Sequence, residues 1–490
     1  MSDALHLTFL FLEMFSKTYS LKKEYTKDGE NMKTTDLSKG TPWKVLVLFA
    51  LPMILSVTLQ QVYNIADSSI AGKMIGDNAL AAVSASYPIT MIYLSIATGL
   101  GVGCGVITSR YFGQGNNSST KITITTSLIF TTLLSIVMII FGVLITPLSL
   151  KLISTPDDIF DDSALYLRFY CGGLLFTYLY NVITSIFQSL GNSRTPLYFL
   201  IFSTIINILL DIIFVGPCNL KILGLALGTF IAQGLAMILS LLFLLLSIRK
   251  VLKTDEKQIL FSNKILKDIL LIAIPSIIQG ATISVGNFFI QRKINSYGSD
   301  LIAGYGAAYK ICYVIVNIYG AYSNAISTYT SQNIGAGKLY RVREGFKWSL
   351  LICVIFSFVM SLIFVLIPNI LLMIFMDNDA SNKSIEMGRY FIYIVAPFFI
   401  FMGLKIPSDG VLKGAKDMRS FMIGTFADLI MRIVLSYALS YPFGYRGIFS
   451  AWPIGWAVGA LISVTMYKKG RWKTLTGLPD LEEKGSLENL

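Results

Sequence analysis

Asp67, Asp211, Asp409 and Asp428 stand inside stretches of the chain that are otherwise almost wholly apolar. Gln60, Asn64 and Asp67 are spaced i, i+4, i+7, which places them on one face of a helix. Asn207 and Asp211 repeat the i, i+4 step. So do Thr229 and Gln233, just after Gly224-x-x-x-Gly228, a pair of small residues that lets another helix approach closely. An ionisable side chain in such a span costs at least about 2.5–3.5 kcal/mol, so it normally faces a cavity or a partner. Two carboxylates sharing one desolvated pocket cannot both ionise cheaply, and the pair should bind a proton. That makes a proton acceptor without histidine, and the only histidine is His6. The same oxygens, with those of Asn207 and Thr229, form a hard-ligand cage that could hold sodium. The competing reading puts Asp67 at the outer end of its span, solvated, as a cap.

A second set of charges lies further along. Lys405 with Asp409, and Asp428 with Arg432, are each spaced i, i+4 and can neutralise one another within one helix. Lys310, in the same half of the chain, is a candidate member of this network, which reads as structural. Tyr305, Tyr309 and Tyr313 form an aromatic face whose rings could receive flat cations, and Asn64 and Gln233 are further candidates for a substrate cavity. Tyrosines at this spacing also simply pack between helices or sit at a membrane interface. Asn181, Ser185 and Gln188 make a polar stripe expected to bond a neighbouring span. The five cysteines are scattered without Cys-x-x-Cys spacing and read as small buried hydrophobes. No nucleophile–base set, metal cluster or phosphate loop is present, so no enzyme and no organic cofactor is expected.

The elements that must position these residues are membrane helices. Of the 490 residues, 54% are hydrophobic and only 14% charged, against roughly 25% charged in a soluble domain. Twelve apolar runs approach or exceed the ~20 residues needed to span a bilayer. They lie near 43–68, 79–109, 122–147, 163–190, 195–217, 222–248, 265–291, 301–331, 346–370, 386–412, 417–440 and 447–467. The basic segment 249–264 separates a first lobe, 43–248, from a second, 265–467, with polar tails at 1–42 and 468–490. The net charge of +12 comes mainly from the tails and from loops on one side, which predicts both termini in the cytoplasm and no nucleic-acid partner. Residues 4–15 are apolar but too short to span. Met32 opens a compact polar lead, MKTTDLSKGTPWK, and is a candidate start of translation, so residues 1–31 are given no role.

The halves repeat. Pro52 recurs as Pro275, Gly113 and Gly115 as Gly335 and Gly337, Gly191 as Gly414, and Gly224 as Gly447, at offsets of 222 or 223 residues. Six spans per copy put both copies the same way up. Parallel repeats of this kind suit alternating access, with a substrate cavity between lobes near the midplane.

The stretch LPMILSVTLQQVYNIADSSIAGKMIGDNALAAVSASYPI, followed by SRYFGQGN, resembles the multidrug and toxic compound extrusion (MATE) transporters. QSLGNSRTPLYFLIFSTIINILLDIIF and GLALGTFIAQG are similar to that family's fifth and sixth spans. The resemblance covers about residues 43–467. It implies an all-α, V-shaped bundle of twelve helices in two lobes. Such a bundle would export amphipathic, often cationic, compounds across the cell membrane in exchange for protons or sodium; separately, the chain is expected to be a monomer. In the DinF-like branch the first-lobe ion site corresponds to Gln60, Asp67, Asn207, Asp211 and Thr229. The glutamate of span seven and aspartate of span ten that mark the NorM-like branch have no match here. Lipid-linked glycan flippases share the fold superfamily and form the alternative function.

Overall fold

Proline starts the first span and a glycine with φ +124° closes it. The helix α1, Pro42–Ile70, carries Pro42 in its first turn, where a missing N–H costs nothing, and runs into a π-helical turn at Ala71–Ile75 that Gly76 terminates. The computed structural model describes residues 35–253, 259–376 and 381–478. The expectations about residues 1–31 therefore lie outside the described residues, as does most of the C-terminal tail.

Long helices follow in chain order: α2 Asp77–Gly113, α3 Asn117–Leu152, α4 Asp157–Gly172, α5 Leu174–Ser189, α6 Arg194–Val215 and α7 Lys221–Val251. The second half repeats the plan with α8 Asn263–Asn295, α9 Ser299–Gly335, α10 Leu339–Leu366, the short α11 Pro368–Met373, α12 Asn382–Val395, α13 Phe399–Gly414, α14 Met418–Phe443, α15 Tyr445–Lys469 and the terminal α16 Arg471–Thr474. Eleven stretches are long and apolar enough to cross a membrane, and α4 with α5, bent by 47° at Gly173, makes a twelfth. No strand occurs among the described residues. Caps fix several ends: the side chains of Asn116, Ser262, Ser381 and Asp417 each accept a backbone N–H of the first turn.

Two spans differ from expectation for backbone reasons. The ninth ends at Leu366 rather than near 370, because Pro368 disfavours helix in the residue before it. The tenth is interrupted by a 3₁₀ turn at Ala396–Phe398, which contains Pro397. Four cysteines are buried and Cys218 is exposed, all of them free thiols.

The lobes meet along α2, which packs on α8 and α9, while α1 also packs on α9. Glycine makes this approach possible. A Cβ on Gly113 would strike the Gln332 carbonyl, and one on Gly335 would strike the Arg110 carbonyl. The two repeat-related glycines thus face each other's helix across the axis that relates the lobes. Nearby, Gly99 and Gly103 admit Ile277, Ile269 and Ala273 of α8. Ser331 donates to the Val106 carbonyl at 2.6 Å.

At the end of the bundle that carries both described chain ends, a polar strap spans the joint. Leu37 is fully buried, and its N–H donates to Gln332 Oε1 at 3.0 Å. Gln332 Nε2 in turn donates to the Ser189 carbonyl of the first lobe at 2.7 Å. Asn333 and Arg341 both donate to the Leu37 carbonyl, and Lys338 donates to that of Ser38 at 3.0 Å. Thr35 N–H closes the strap onto the Gly191 carbonyl. Each such bond is worth about 1 kcal/mol net, and burying Leu37 adds roughly 1.5–3 kcal/mol. We predict that deleting residues 1–31 leaves transport at the parental level, whereas deleting 1–38 lowers the midpoint of thermal unfolding by several degrees. Loss of transport in the protein starting at Met32, at equal membrane abundance, would refute the first statement. An unchanged midpoint in the shorter chain would refute the second.

Candidate functional site

The first-lobe acids converge from α1 and α6. Asp67 stands one turn beyond Tyr63, and its carboxyl group faces that of Asp211. Asp211 is 0% exposed and Asn207, one turn before it, 1% exposed. Asn207 Nδ2 donates to Thr229 Oγ1 at 3.3 Å, and the Tyr63 hydroxyl lies 3.4 Å from the same oxygen. Thr229 therefore ties α7 to both other helices. Asp211 fits because α7 is small where it passes: a Cβ on Gly228 would collide with Asp211 Oδ1, and one on Gly224 would meet the backbone of Phe214 at 3.0 Å. Tyr166 of α4 also stands within electrostatic reach of both carboxylates.

Four buried oxygens in this cluster lack a hydrogen-bond partner among the described residues: Asp67 Oδ1, Asn207 Oδ1 and both oxygens of Asp211. Unpaired buried carboxylate oxygens are costly, and two facing carboxylates repel. A proton shared by the pair, or a small hard cation, removes both penalties at once. The donor set is all oxygen, which suits sodium better than a transition metal. No group of three or more His, Cys, Asp or Glu placed to hold a metal ion occurs among the described residues.

Other expected members lie elsewhere. Gln60 is exposed and does not join the Asp67–Asp211 cluster; Asn64, expected to line a substrate cavity, is exposed as well. Gln60 does share the azimuth of Asp67, but seven residues of helix separate them by about 10.5 Å in depth. Gln233 is engaged inside the first lobe, where its Oε1 accepts from Thr177 at 2.7 Å. It borders a small space at the α4–α5 bend with Tyr166, Tyr170 and Phe230, away from any inter-lobe cavity. Asn181 bonds the Thr177 carbonyl of its own helix rather than a neighbour. Sequence reasoning missed Tyr63 and Tyr166. A phenol one turn before an intramembrane acid was a usable signal for Tyr63. Tyr166 had none, since only packing brings α4 to the site.

In the second lobe Lys405 Nζ donates to Asp409 Oδ2 at 2.9 Å and stands 3.9 Å from Asp428 Oδ2. Ser463 donates to the other Asp409 oxygen at 2.7 Å. The expected Asp428–Arg432 pair does not form. Arg432 instead lies over the Trp452 ring, 4.4 Å from its centroid. Gly455 and Gly459 bring the α15 backbone against Asp428, turning its carboxylate toward Lys405. Lys310 is exposed on α9 and outside this network. Removing one partner of such a buried pair typically costs about 3–5 kcal/mol.

The tyrosine face divides. Tyr305 is 3% exposed, stacked on Phe449 and edge-on to Phe391 at 5.1 Å, so it is core rather than cavity wall. Tyr309 stacks between Tyr305 and Tyr313 and accepts from Asn287 at 3.2 Å. Tyr313 is half-buried and reaches Tyr87 of the opposite lobe.

The MatE family model matches residues 52–213 and again 275–438, one copy per lobe. Among similar sequences, Probable multidrug resistance protein YpnP of Bacillus subtilis strain 168 is 27% identical over 460 residues, 91% of this chain and 99% of its own length. Multidrug export protein MepA of Staphylococcus saprophyticus is 22% identical over 84% of this chain and 90% of its own. A protein of Shewanella oneidensis named FAD transporter is 24% identical over 84% of this chain and 91% of its own. Among solved structures, a MOP superfamily transporter from Pyrococcus furiosus superposes with a TM-score of 0.84 at 20% identity, covering 91% of this chain and 99% of that one. The outward-facing conformation of a multidrug resistance MATE family transporter gives the same score, identity and coverage. With its two matched halves, its twelve-span bundle and its full-length relatives, the chain belongs to the MatE family, the transporters its sequence resembles.

Proposed function

We propose that the protein is a secondary antiporter of the plasma membrane, both termini cytoplasmic, that exports amphipathic organic compounds in exchange for protons. The observation that carries the coupling half is the facing Asp67–Asp211 pair with its partnerless oxygens. A proton on the pair removes the repulsion between α1 and α6 and favours the packed form of the lobe. Its loss favours another form, and that differential is what a coupling ion must supply. Sodium can act at the same oxygens, aided by Asn207 and Thr229. Drug export is supported by relatives named for multidrug resistance and multidrug export. The name FAD transporter, carried by the Shewanella protein, leaves the charge of the cargo open.

The test is efflux of ethidium and, in a parallel assay, of 1-pyrenebutyrate from proteoliposomes under separately imposed gradients. Proton coupling predicts movement driven by a pH gradient in sodium-free buffer. Efflux that appears only with a sodium gradient and ignores pH would overturn the proton assignment. A protein that moves no amphipath under either gradient would overturn the antiport reading itself.

A further inference from the structure

Lys310 is the group that neither the acid site nor the second-lobe network uses. It stands seven residues before the midpoint of the 37-residue α9, about 10 Å from it, and so inside a roughly 30 Å hydrocarbon layer centred on the helix. Its direction follows from contacts elsewhere on the same helix. Tyr313 reaches Tyr87, Ser331 bonds Val106, and Gly335 abuts Arg110, all of them residues of α2. At 100° per residue Lys310 falls within about 60° of each of these positions, so it lies on the stripe of α9 that faces the first lobe. The space before that stripe is open. Lys310 is exposed, and a Cβ on Gly306, one turn before it, or on Gly320, three turns beyond, would meet nothing within 4 Å.

An ammonium at this depth needs an anion, and the protein supplies none among the described residues. The facing helix α2 carries no Asp or Glu after Asp77 in its first turn. Asp67 of α1 is turned to Asp211, and Asp268 of α8 pairs with Lys416 at 3.6 Å. Asp409 and Asp428 are held by Lys405. A single unneutralised charge between low-dielectric walls projects a strong field into the space it faces. The half-buried ring of Tyr313 lies one turn away, with Tyr87 opposite it.

We propose that Lys310 is a substrate-recognition residue, and that the space between the lobes selects planar aromatic amphipaths bearing a carboxylate over their cationic counterparts. This rests on the export reading above and names its substrate class. The ring would lie against Tyr313 and Tyr87, and the carboxylate would accept a charge-assisted hydrogen bond from the Lys310 ammonium. Lysine suits the task better than arginine where one flexible point charge must meet many ligand shapes.

The experiment is equilibrium binding to the full chain in neutral phosphatidylcholine nanodiscs, with no ion gradient. Three matched probes are used: 1-pyrenebutyrate, 1-pyrenebutanol and a pyrenebutyl trimethylammonium salt. The parent should bind pyrenebutyrate at least tenfold more tightly than the ammonium probe. Lys310→Gln should bring the three affinities together, Lys310→Glu should reverse the order, and the neutral alcohol should be unaffected by either change. Parental binding of pyrenebutyrate no tighter than that of the alcohol would overturn the proposal. So would a charge preference that survives in Lys310→Gln. Because no gradient is involved, failure here leaves the antiport reading standing. A protein that binds pyrenebutyrate as expected but transports nothing under either gradient defeats only the antiport reading.

Discussion

Asp67→Asn and Asp211→Asn should each reduce gradient-driven efflux, of ethidium or of 1-pyrenebutyrate, whichever the parent moves faster, to the level of protein-free vesicles, a loss of at least a hundredfold. The amide keeps the shape of the side chain and removes its titration. It should also leave folding intact, for a reason specific to this packing. In the parent, two carboxylates face each other with three partnerless oxygens between them. An amide N–H₂ on either side can donate to the remaining carboxylate, exchanging repulsion for a hydrogen bond. The midpoint of thermal unfolding should therefore hold or rise, and the two measurements together separate loss of coupling from loss of structure. Tyr63→Phe, which removes only the hydroxyl near Thr229, should slow efflux several-fold without abolishing it. If both asparagine variants confer drug resistance like the parent in a sensitised host, the site has been placed in the wrong lobe.

Gly113→Leu and Gly335→Leu should have the next largest effect. At each position the first side-chain atom would meet a backbone carbonyl of the opposite lobe, which cannot swing away as a flexible side chain would. Overpacking of this kind costs about 1–3 kcal/mol. All of that cost falls on the conformation in which α2 and α9 cross, so a two-state balance moves by roughly 5- to 150-fold toward the form with the lobes parted there. Efflux should drop at least tenfold. Ser331→Cys, buried beside the crossing, should become at least tenfold more reactive to a thiol reagent in the Gly113→Leu background, with the exposed Cys218 replaced by serine. Parental efflux in both leucine variants would show that this crossing is no part of the transport cycle.

These two expectations rest on features of different legibility. The glycine pair was visible as a repeat at an offset of 222 residues, but a repeat says only that two positions are equivalent. That the two copies pack on each other's helices across the axis belongs to the folded form. Spacing alone placed Asn207 and Asp211 on one face of their helix, and Gln60, Asn64 and Asp67 on one face of another. It could not say at what depth the two faces meet. Helical period specifies azimuth, and each further seven residues add about 10.5 Å of depth that period does not register. Gln60 therefore looked equivalent to Asp67 and is not.

The spans, their number, their pairing into two like-oriented lobes and the presence of intramembrane acids were determined by the sequence itself. They follow from the water-to-lipid transfer of side chains and from backbone groups that must be satisfied within each segment. Partnerships between helices were decided by the tertiary structure. Arg432 left Asp428 for Trp452 because Gly455 and Gly459 draw α15 against the acid, where Lys405 reaches it. Tyr305 became core because α12 and α15 supply Phe391 and Phe449 around it, whereas Tyr313, two turns on, meets the other lobe. Among the described residues Lys310 is left without an anion by the same logic, since Asp268, Asp409 and Asp428 are held by other lysines. In a membrane the hydrophobic effect places residues in the bilayer but does not discriminate between helix neighbours. Steric fit at small residues makes that choice, and it exists only once the helices are packed.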